Sequence, residues 1–223
     1  MRIGLVIFDC DGVLVDSEPI ANRVLVEQLH GIGVSIPESE VMRRFVGKTR
    51  GQCLALAAEI LGRALPETFG AHWDAALFEA LRNEVQPSPG MVDVLRRLTV
   101  PYCAASNGMP DRVRLTLASA GLMPYFEGRI FTSADVPNPK PAPDLFLHAA
   151  ASMHAAPAHC VVIEDTPTGV RAARAAAMRV LGYIGGSASD AATLQREGAA
   201  AVFDDMSRLP ALLRAQTQRS QIR

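Results

Sequence analysis

Along the chain, apolar residues gather in short unbroken runs instead of alternating with polar ones. The runs are Leu5–Asp9, Tyr102–Ser106, Ile130–Thr132, Cys160–Asp165, Arg179–Tyr183 and Ala200–Phe203, most of them rich in β-branched residues. A strand with one wet face alternates, whereas a continuous apolar run belongs to a strand covered on both faces, the pattern of a parallel sheet between helices. The stretches between the runs carry helix formers, and several open on proline: Ser88-Pro89, Met109-Pro110, Ala142-Pro143 and Thr166-Pro167. Proline suits the first helical position because the N–H it lacks would find no partner there. The pattern predicts an α/β fold, a Rossmann-like parallel sheet core.

Residues 17 to about 86 break this rhythm. "SEPIANRVLVEQLHGIG", "PESEVMRRF", "GQCLALAAEILG" and "PETFGAHWDAALFEALRNE" are helical in composition, with no strand-like run among them. Gly31 and Gly62 stand where helix stops are expected. We therefore expect a helical cap domain at 16–87, inserted into an α/β catalytic core formed by 1–15 and 88–223, with joins near Val15–Ser17 and Val85–Ser88.

Composition narrows the function classes. A chain of 223 residues makes one or two domains, and 49% hydrophobic with 20% charged residues gives a soluble protein with a substantial core. The net charge is −1 and no Lys/Arg run exceeds two residues, so a nucleic-acid partner has no support. The apolar start, Ile3 to Phe8, is too short for a signal peptide or a membrane span, so no membrane association and a cytoplasmic location are expected. Cysteines at 10, 53, 103 and 160 show no CxxC spacing and read as reduced, packed thiols. The five histidines are scattered, with no metal-ligand spacing.

The candidate chemistry lies where the runs end. The first, "VIFDCDGVLVDSE", stops on Asp9 and Asp11, two acids flanking Cys10 with Gly12 behind them. A lone pair of acids is commonly a turn. In open parallel sheets, however, ligands bind beyond the carboxyl ends of the strands, so the other ends matter. After "PYCAA" come Ser106, Asn107 and Gly108 before a helix, a hydroxyl, an amide and N–H groups suited to an anion. After "RIFTSADV" comes Lys140, set between Pro139 and Pro141, which restrict its backbone. After "CVVI" come Glu164, Asp165 and Thr166, opening another helix. Alternation turns Cys10 away from the acids, so its thiol is read as packing.

The order "FDCDGVLVDSE", "ASNG", "KPAPDLF", "VIEDTPTGVRAARAAAM" resembles the haloacid dehalogenase superfamily over nearly the whole chain, and the helical insert resembles its cap. Thr166 departs from the Ser of many members but keeps the hydroxyl. The resemblance implies a phosphatase working through an aspartyl-phosphate: Asp9 as nucleophile, Asp11 as general acid and then base, Ser106, Asn107 and Lys140 on the phosphate. It further implies Mg²⁺ on Asp9, Asp165 and the backbone carbonyl of Asp11, with Glu164 as a further metal contact. Charge shows why cations are needed. Like charges about 4 Å apart repel by about 4 kcal/mol per pair at an effective dielectric near 20, and a phosphate dianion joins Asp9 and Asp165; Mg²⁺ and Lys140 offset that.

Within the superfamily, dehalogenases proper and phosphonoacetaldehyde hydrolases lack the second acid, so Asp11 argues against both. The branch resembled most is that of β-phosphoglucomutases and bacterial sugar-phosphate phosphatases, one subgroup of which acts on 6-phosphogluconate. The mutases carry a His five residues beyond the Asp matching Asp16, where this chain has Ala21. That His helps protect their phosphoenzyme from water, so its absence favours phosphatase over isomerase. Phosphoglycolate and pyrophosphate stay open beside a sugar or sugar-acid phosphate. In "FVGKTRG", Lys48 and Arg50 are the expected readers of the substrate's distal end. The only partner implied is a small phosphorylated metabolite; a monomer is expected, and a homo-oligomer is left open.

Overall fold

The computed structural model describes residues 3–34, 36–45, 50–186 and 189–218. Six strands form one sheet: β1 Leu5–Phe8, β2 Tyr102–Ser106, β3 Ile130–Thr132, β4 Cys160–Glu164, β5 Arg179–Tyr183 and β6 Ala201–Phe203. Their order is β3-β2-β1-β4-β5-β6, and every pairing is parallel. Each run predicted from the apolar pattern is a strand, shortened only where it had been extended into Asp9, Asp165 or Ala200. The reason is burial: β1, β2 and β4 are buried at every position, which leaves polar residues only at their ends.

The chain splits into two compact units, Met1–Asp16 with Gln86–Arg223, and Ser17–Val85. Within the second, the described residues form helices α1 Glu18–Gly31, α2 Glu38–Phe45, α3 Arg50–Leu61 and α4 Phe69–Glu84. Helices α1 and α4 lie together, burying Val24, Leu25 and Leu29 on one and Trp73, Leu77 and Leu81 on the other. Arg23 of α1 forks onto both oxygens of Glu84 at 2.7 Å. Helix α1 stops at Gly31, where a stop was expected. The left-handed turn falls at Gly33 (φ +88°), the position that needs glycine. Gly62 follows α3 directly, at φ +69°.

In the first unit the helices are α5 Met91–Arg97, α6 Pro110–Ser119, α7 Met123–Phe126, α8 Asp144–Ser152, α9 Pro167–Ala175, α10 Ala191–Glu197 and α11 Leu209–Gln218. Pro110 and Pro167 occupy first helical positions, Pro143 caps α8, and Pro89 lies just before the Gly90 cap of α5. Strand alternation divides the core. Leu5, Ile7, Cys103, Ala105, Cys160 and Val162 pack in one cluster with Leu145, Phe146 and Ala149 of α8 and Val170 and Ala173 of α9. Phe8 and Tyr102 alternate out of that cluster, and Tyr102 meets Phe126 of α7 edge-on at 5.5 Å.

Of the two acids that follow β6, Asp205 accepts from Ser207 N at 2.9 Å and caps a short 3₁₀ turn, Met206–Arg208. Phe126 is fully buried in the aromatic stack whereas Leu147 is 39% exposed. In urea denaturation, Phe126→Ala is expected to cost about 3–5 kcal/mol, and Leu147→Ala to stay within about 0.5 kcal/mol of wild type. Similar losses for the two would refute this division of the core.

Candidate active site

The order of the strands puts β1 between β2 and β4, so three polar ends open side by side. Asp9 donates its N–H to the Ile163 carbonyl (3.0 Å), which carries the β1–β4 ladder one residue beyond Phe8 and fixes Asp9 beside Glu164. Into this point comes Lys140, from the loop between β3 and α8. Its Nζ lies 2.5 Å from Asp9 Oδ1, 2.8 Å from the Ala105 carbonyl and 2.8 Å from Glu164 Oε1. An ammonium has three N–H donors, and all three are used, one on each strand end. The ammonium also stands 4.6 Å above the Phe146 ring. Asn107 holds the lysine in place: its Nδ2 donates to the Lys140 carbonyl (2.9 Å), and its Oδ1 accepts from the Lys140 N–H (3.0 Å).

Glu164 is occupied at both oxygens. Oε1 takes Lys140, and Oε2 accepts from Asp165 N (3.0 Å), Thr166 N (2.9 Å) and Thr166 Oγ1 (2.9 Å). Thr166 Oγ1 in turn accepts from Gly169 N at 3.1 Å and so caps α9. A side chain at Gly169 would collide with the Glu164 carboxylate, so the glycine makes room for this arrangement. Gly12 does the same for Asp165: at φ +78° it turns the chain sharply, and a Cβ there would strike the Asp165 carboxylate. Asp165 is thereby held against the backbone one residue after Asp11. Ser106 is buried, with its Oγ accepting from Gly108 N at 3.0 Å. Cys10, between the acids, is fully buried.

The structure thus brings Asp9, Glu164 and Lys140 into direct contact, binds Asn107 to Lys140, and places Asp165 against Gly12. The family model for haloacid dehalogenase-like hydrolases matches residues 3–177, a span that contains every one of these side chains. The chain belongs to that family. The hydrolase is 30% identical over 180 residues to the 6-phosphogluconate phosphatase of Escherichia coli, covering 80% of this chain and 81% of the relative. Among solved structures it is similar to a conserved haloacid dehalogenase-like protein of unknown function from Agrobacterium tumefaciens, at 37% identity and a TM-score of 0.87, over 97% of this chain and 100% of that one. It is also similar to a family hydrolase from Deinococcus radiodurans with bound phosphate and sodium, at 33% identity and a TM-score of 0.83, over 95% of each chain.

Electrostatics at the strand ends are unbalanced. Four carboxylates (Asp9, Asp11, Glu164 and Asp165) face two cations, Lys140 and Arg112, so the cluster carries a formal charge of −4 + 2 = −2. Burial, with Glu164 and Asp11 adding to it and Lys140 opposing, pushes the Asp9 carboxyl up from 3.8 to about 7. Burial alone would pull the Lys140 ammonium down, yet Asp9 and Glu164 together outweigh it and hold it above its ordinary value. The two directions agree once the sharing is seen: Lys140 has two anions, while Asp9 has half of one cation. Burial first, then Asp11 and Asp9, push the Cys10 thiol well above its ordinary range, which removes it from nucleophilic chemistry.

Among the described residues, no three His, Cys, Asp or Glu side chains converge as a ready ion cage. Mg²⁺ does not require one, since it binds through one or two carboxylates and keeps water and substrate oxygens for the remaining positions. Asp9 and Asp165, with the main chain that Gly12 brings against Asp165, are hard oxygen donors of that kind, and the surplus negative charge suits a divalent cation. The donor set fits the ion.

Arg50 is engaged elsewhere. Its Nε and Nη2 fork onto Asp74 at 2.8 and 2.7 Å across α3 and α4, and a side chain at Gly70 would press on its guanidinium. Lys48 lies outside the described residues. One charged residue went unread in the sequence: Arg112, whose Nη2 donates to Asp11 Oδ1 at 3.1 Å. Its signal was available, since a cation in the first turn of a helix opposes the helix dipole and calls for a compensating anion.

The raised Asp9 carboxyl has a testable sign. The folded metal-free protein holds this proton more tightly than the unfolded chain, so the stability it contributes is complete below about pH 4 and is lost as pH rises through about 7. Thermal melts in EDTA should therefore show Asp9→Asn gaining on wild type as pH increases across that window. A difference that does not change with pH would contradict the assignment.

Proposed function

We propose that this hydrolase is a Mg²⁺-dependent phosphatase of a small sugar or sugar-acid phosphate, working through an aspartyl-phosphate on Asp9. The observation that carries the reading is the Asp9 carboxylate, buried at the end of the central strand and hydrogen-bonded through Oδ1 to a fully enclosed ammonium. A carboxylate so held is oriented for attack and is a known covalent nucleophile in phosphoryl transfer. The substrate class follows the E. coli relative, which is named for 6-phosphogluconate.

In the first step an Asp9 oxygen forms a bond to phosphorus as the ester P–O bond breaks, and Asp11 gives its proton to the departing oxygen. In the second, water adds to phosphorus and passes a proton to Asp11, and the bond between phosphorus and Asp9 breaks with its electron pair returning to the carboxylate. Lys140 and the N–H groups beyond Ser106 stabilise charge on the transferring group. Mg²⁺, held by Asp9, Asp165 and the Asp11 carbonyl, would neutralise phosphate charge and orient the oxygens in line. Two roles anticipated from the sequence shift in this proposal. Asn107, with both ends of its amide on the Lys140 main chain, positions the lysine instead of binding substrate. Glu164, occupied at both oxygens, positions Lys140 and holds Thr166, the cap of α9, instead of ligating the metal.

Phosphate release should be measured over sugar phosphates, sugar-acid phosphates, phosphoglycolate and pyrophosphate, with Mg²⁺ and with EDTA. Release from sugar or sugar-acid esters that requires Mg²⁺ supports the proposal. Conversion of β-glucose 1-phosphate to glucose 6-phosphate without free phosphate would make the enzyme an isomerase. Asp9→Asn should lower turnover by roughly 10³-fold or more, the scale of losing a covalent nucleophile. Borohydride added during turnover should reduce the acyl phosphate at residue 9 and mark it in a peptide map.

For Arg50, a substrate-reading role requires its guanidinium to leave Asp74. That exchange is cheap, because exposed ion pairs contribute only about 0–1 kcal/mol. Arg50→Ala should then raise KM for the best substrate while leaving kcat nearly intact; an unchanged KM would remove Arg50 from recognition.

A further inference from the structure

Arg112 is the charged residue at these strand ends to which the proposed chemistry gives no work. It is the third residue of α6, in the first turn, where a cation opposes the helix dipole and a surface residue would gain nothing by being positive. It reaches across 101 positions of sequence to Asp11, with Nη2 3.1 Å from Oδ1. Both side chains are only 29% exposed. Its Nε is buried and meets no acceptor among the described residues, so the guanidinium is not placed for its own hydrogen-bonding comfort. Asp11 foremost, and after it Cys10 and Asp9, hold the guanidinium above its ordinary value against the effect of burial.

We propose that Arg112 is the positioning residue for the proton transfers of Asp11. The inference rests on the phosphatase reading given above. A guanidinium is a donor only and stays charged throughout the working range, so it cannot replace Asp11 as the acid. It can anchor Asp11 through both halves of the cycle. When the acid carries its proton on Oδ2, Oδ1 is still a carbonyl oxygen that accepts from Nη2; when the proton has gone to the leaving oxygen, Oδ1 shares the negative charge and accepts more strongly. The contact therefore survives each transfer, and the carboxyl returns its proton from the same place. A lysine could supply the charge and one donor from a flexible stem, and a residue without donors could supply neither.

The experiment compares kcat/KM for two esters that differ in their need for an acid. The p-nitrophenolate leaving group departs with little protonation, whereas a sugar alkoxide does not. Wild type, Arg112→Gln and Arg112→Lys are assayed on p-nitrophenyl phosphate and on the sugar phosphate that wild type hydrolyses fastest, with thermal melts confirming that each variant is folded. Arg112→Gln is expected to lose about 10- to 100-fold more toward the sugar ester than toward the aryl ester, within the span general acid catalysis supplies. Arg112→Lys should recover part of that gap. Equal losses on both esters would make Arg112 a phosphate-binding or purely structural residue, and no loss on either would remove its role; both overturn the inference. Wild type that releases no phosphate from any sugar ester would instead overturn the phosphatase reading itself, a result visible before any variant is made.

Discussion

A single buried ammonium organises the carboxyl ends of three adjacent strands. Lys140 Nζ donates to β2 through the Ala105 carbonyl, to Asp9 just beyond β1, and to Glu164 at the end of β4. Enclosing that charge is tolerable only because every N–H has an acceptor and two of the acceptors are anions. Removing one partner of such a buried set typically destabilises by about 3–5 kcal/mol, since the remainder stays buried and unmatched. The surrounding loops follow from this need. Asn107 clasps the lysine backbone from the β2 end, and Glu164, while receiving the ammonium, also gathers the N–H groups of Asp165 and Thr166 just ahead of α9.

Sheet order explains why the acids meet there. The chain builds β1, β2 and β3 outward in one direction, then crosses back to lay β4 against the other side of β1. Such a reversal leaves a crevice at the carboxyl ends of the two strands flanking it, the usual ligand position in open parallel sheets. Asp9 and Asp165 follow those two strands, and Gly12 lets their loops approach. The helical unit enters the chain right after this loop, at Ser17.

Much of this was legible in the sequence because the signals are local. A run such as "LVIF" or "CVVI" buried on both faces can only be a central strand, and the first polar residue after it marks an edge. The end of α1 at Gly31 was legible, whereas the left-handed turn two residues later, at Gly33, shows only in the backbone angle. Roles resting on distant pairing were less readable. Asn107 looked like a ligand for substrate because an amide beside a helix start can bind an anion, and nothing nearby in sequence announces that Lys140 claims both its ends 33 positions later. Glu164 was read as a further metal contact from the family resemblance and its place at a strand end, and the sequence did not announce that both its oxygens accept hydrogen bonds. Arg112 showed only half of its role, a cation misplaced for the helix dipole, because the partner it calls for, Asp11, lies 101 positions away beyond a different strand.

The four cysteines carry a practical consequence. All are reduced and buried, and Cys10 sits between the two acids of the first loop with its thiol far from ionised. Alkylating reagents attack thiolates, so the folded chain offers them almost nothing. Any modification that does occur must follow an opening of the core, and its rate at residue 10 reports how often the loop beyond β1 comes apart. The molecule thus contains its own clock for local unfolding.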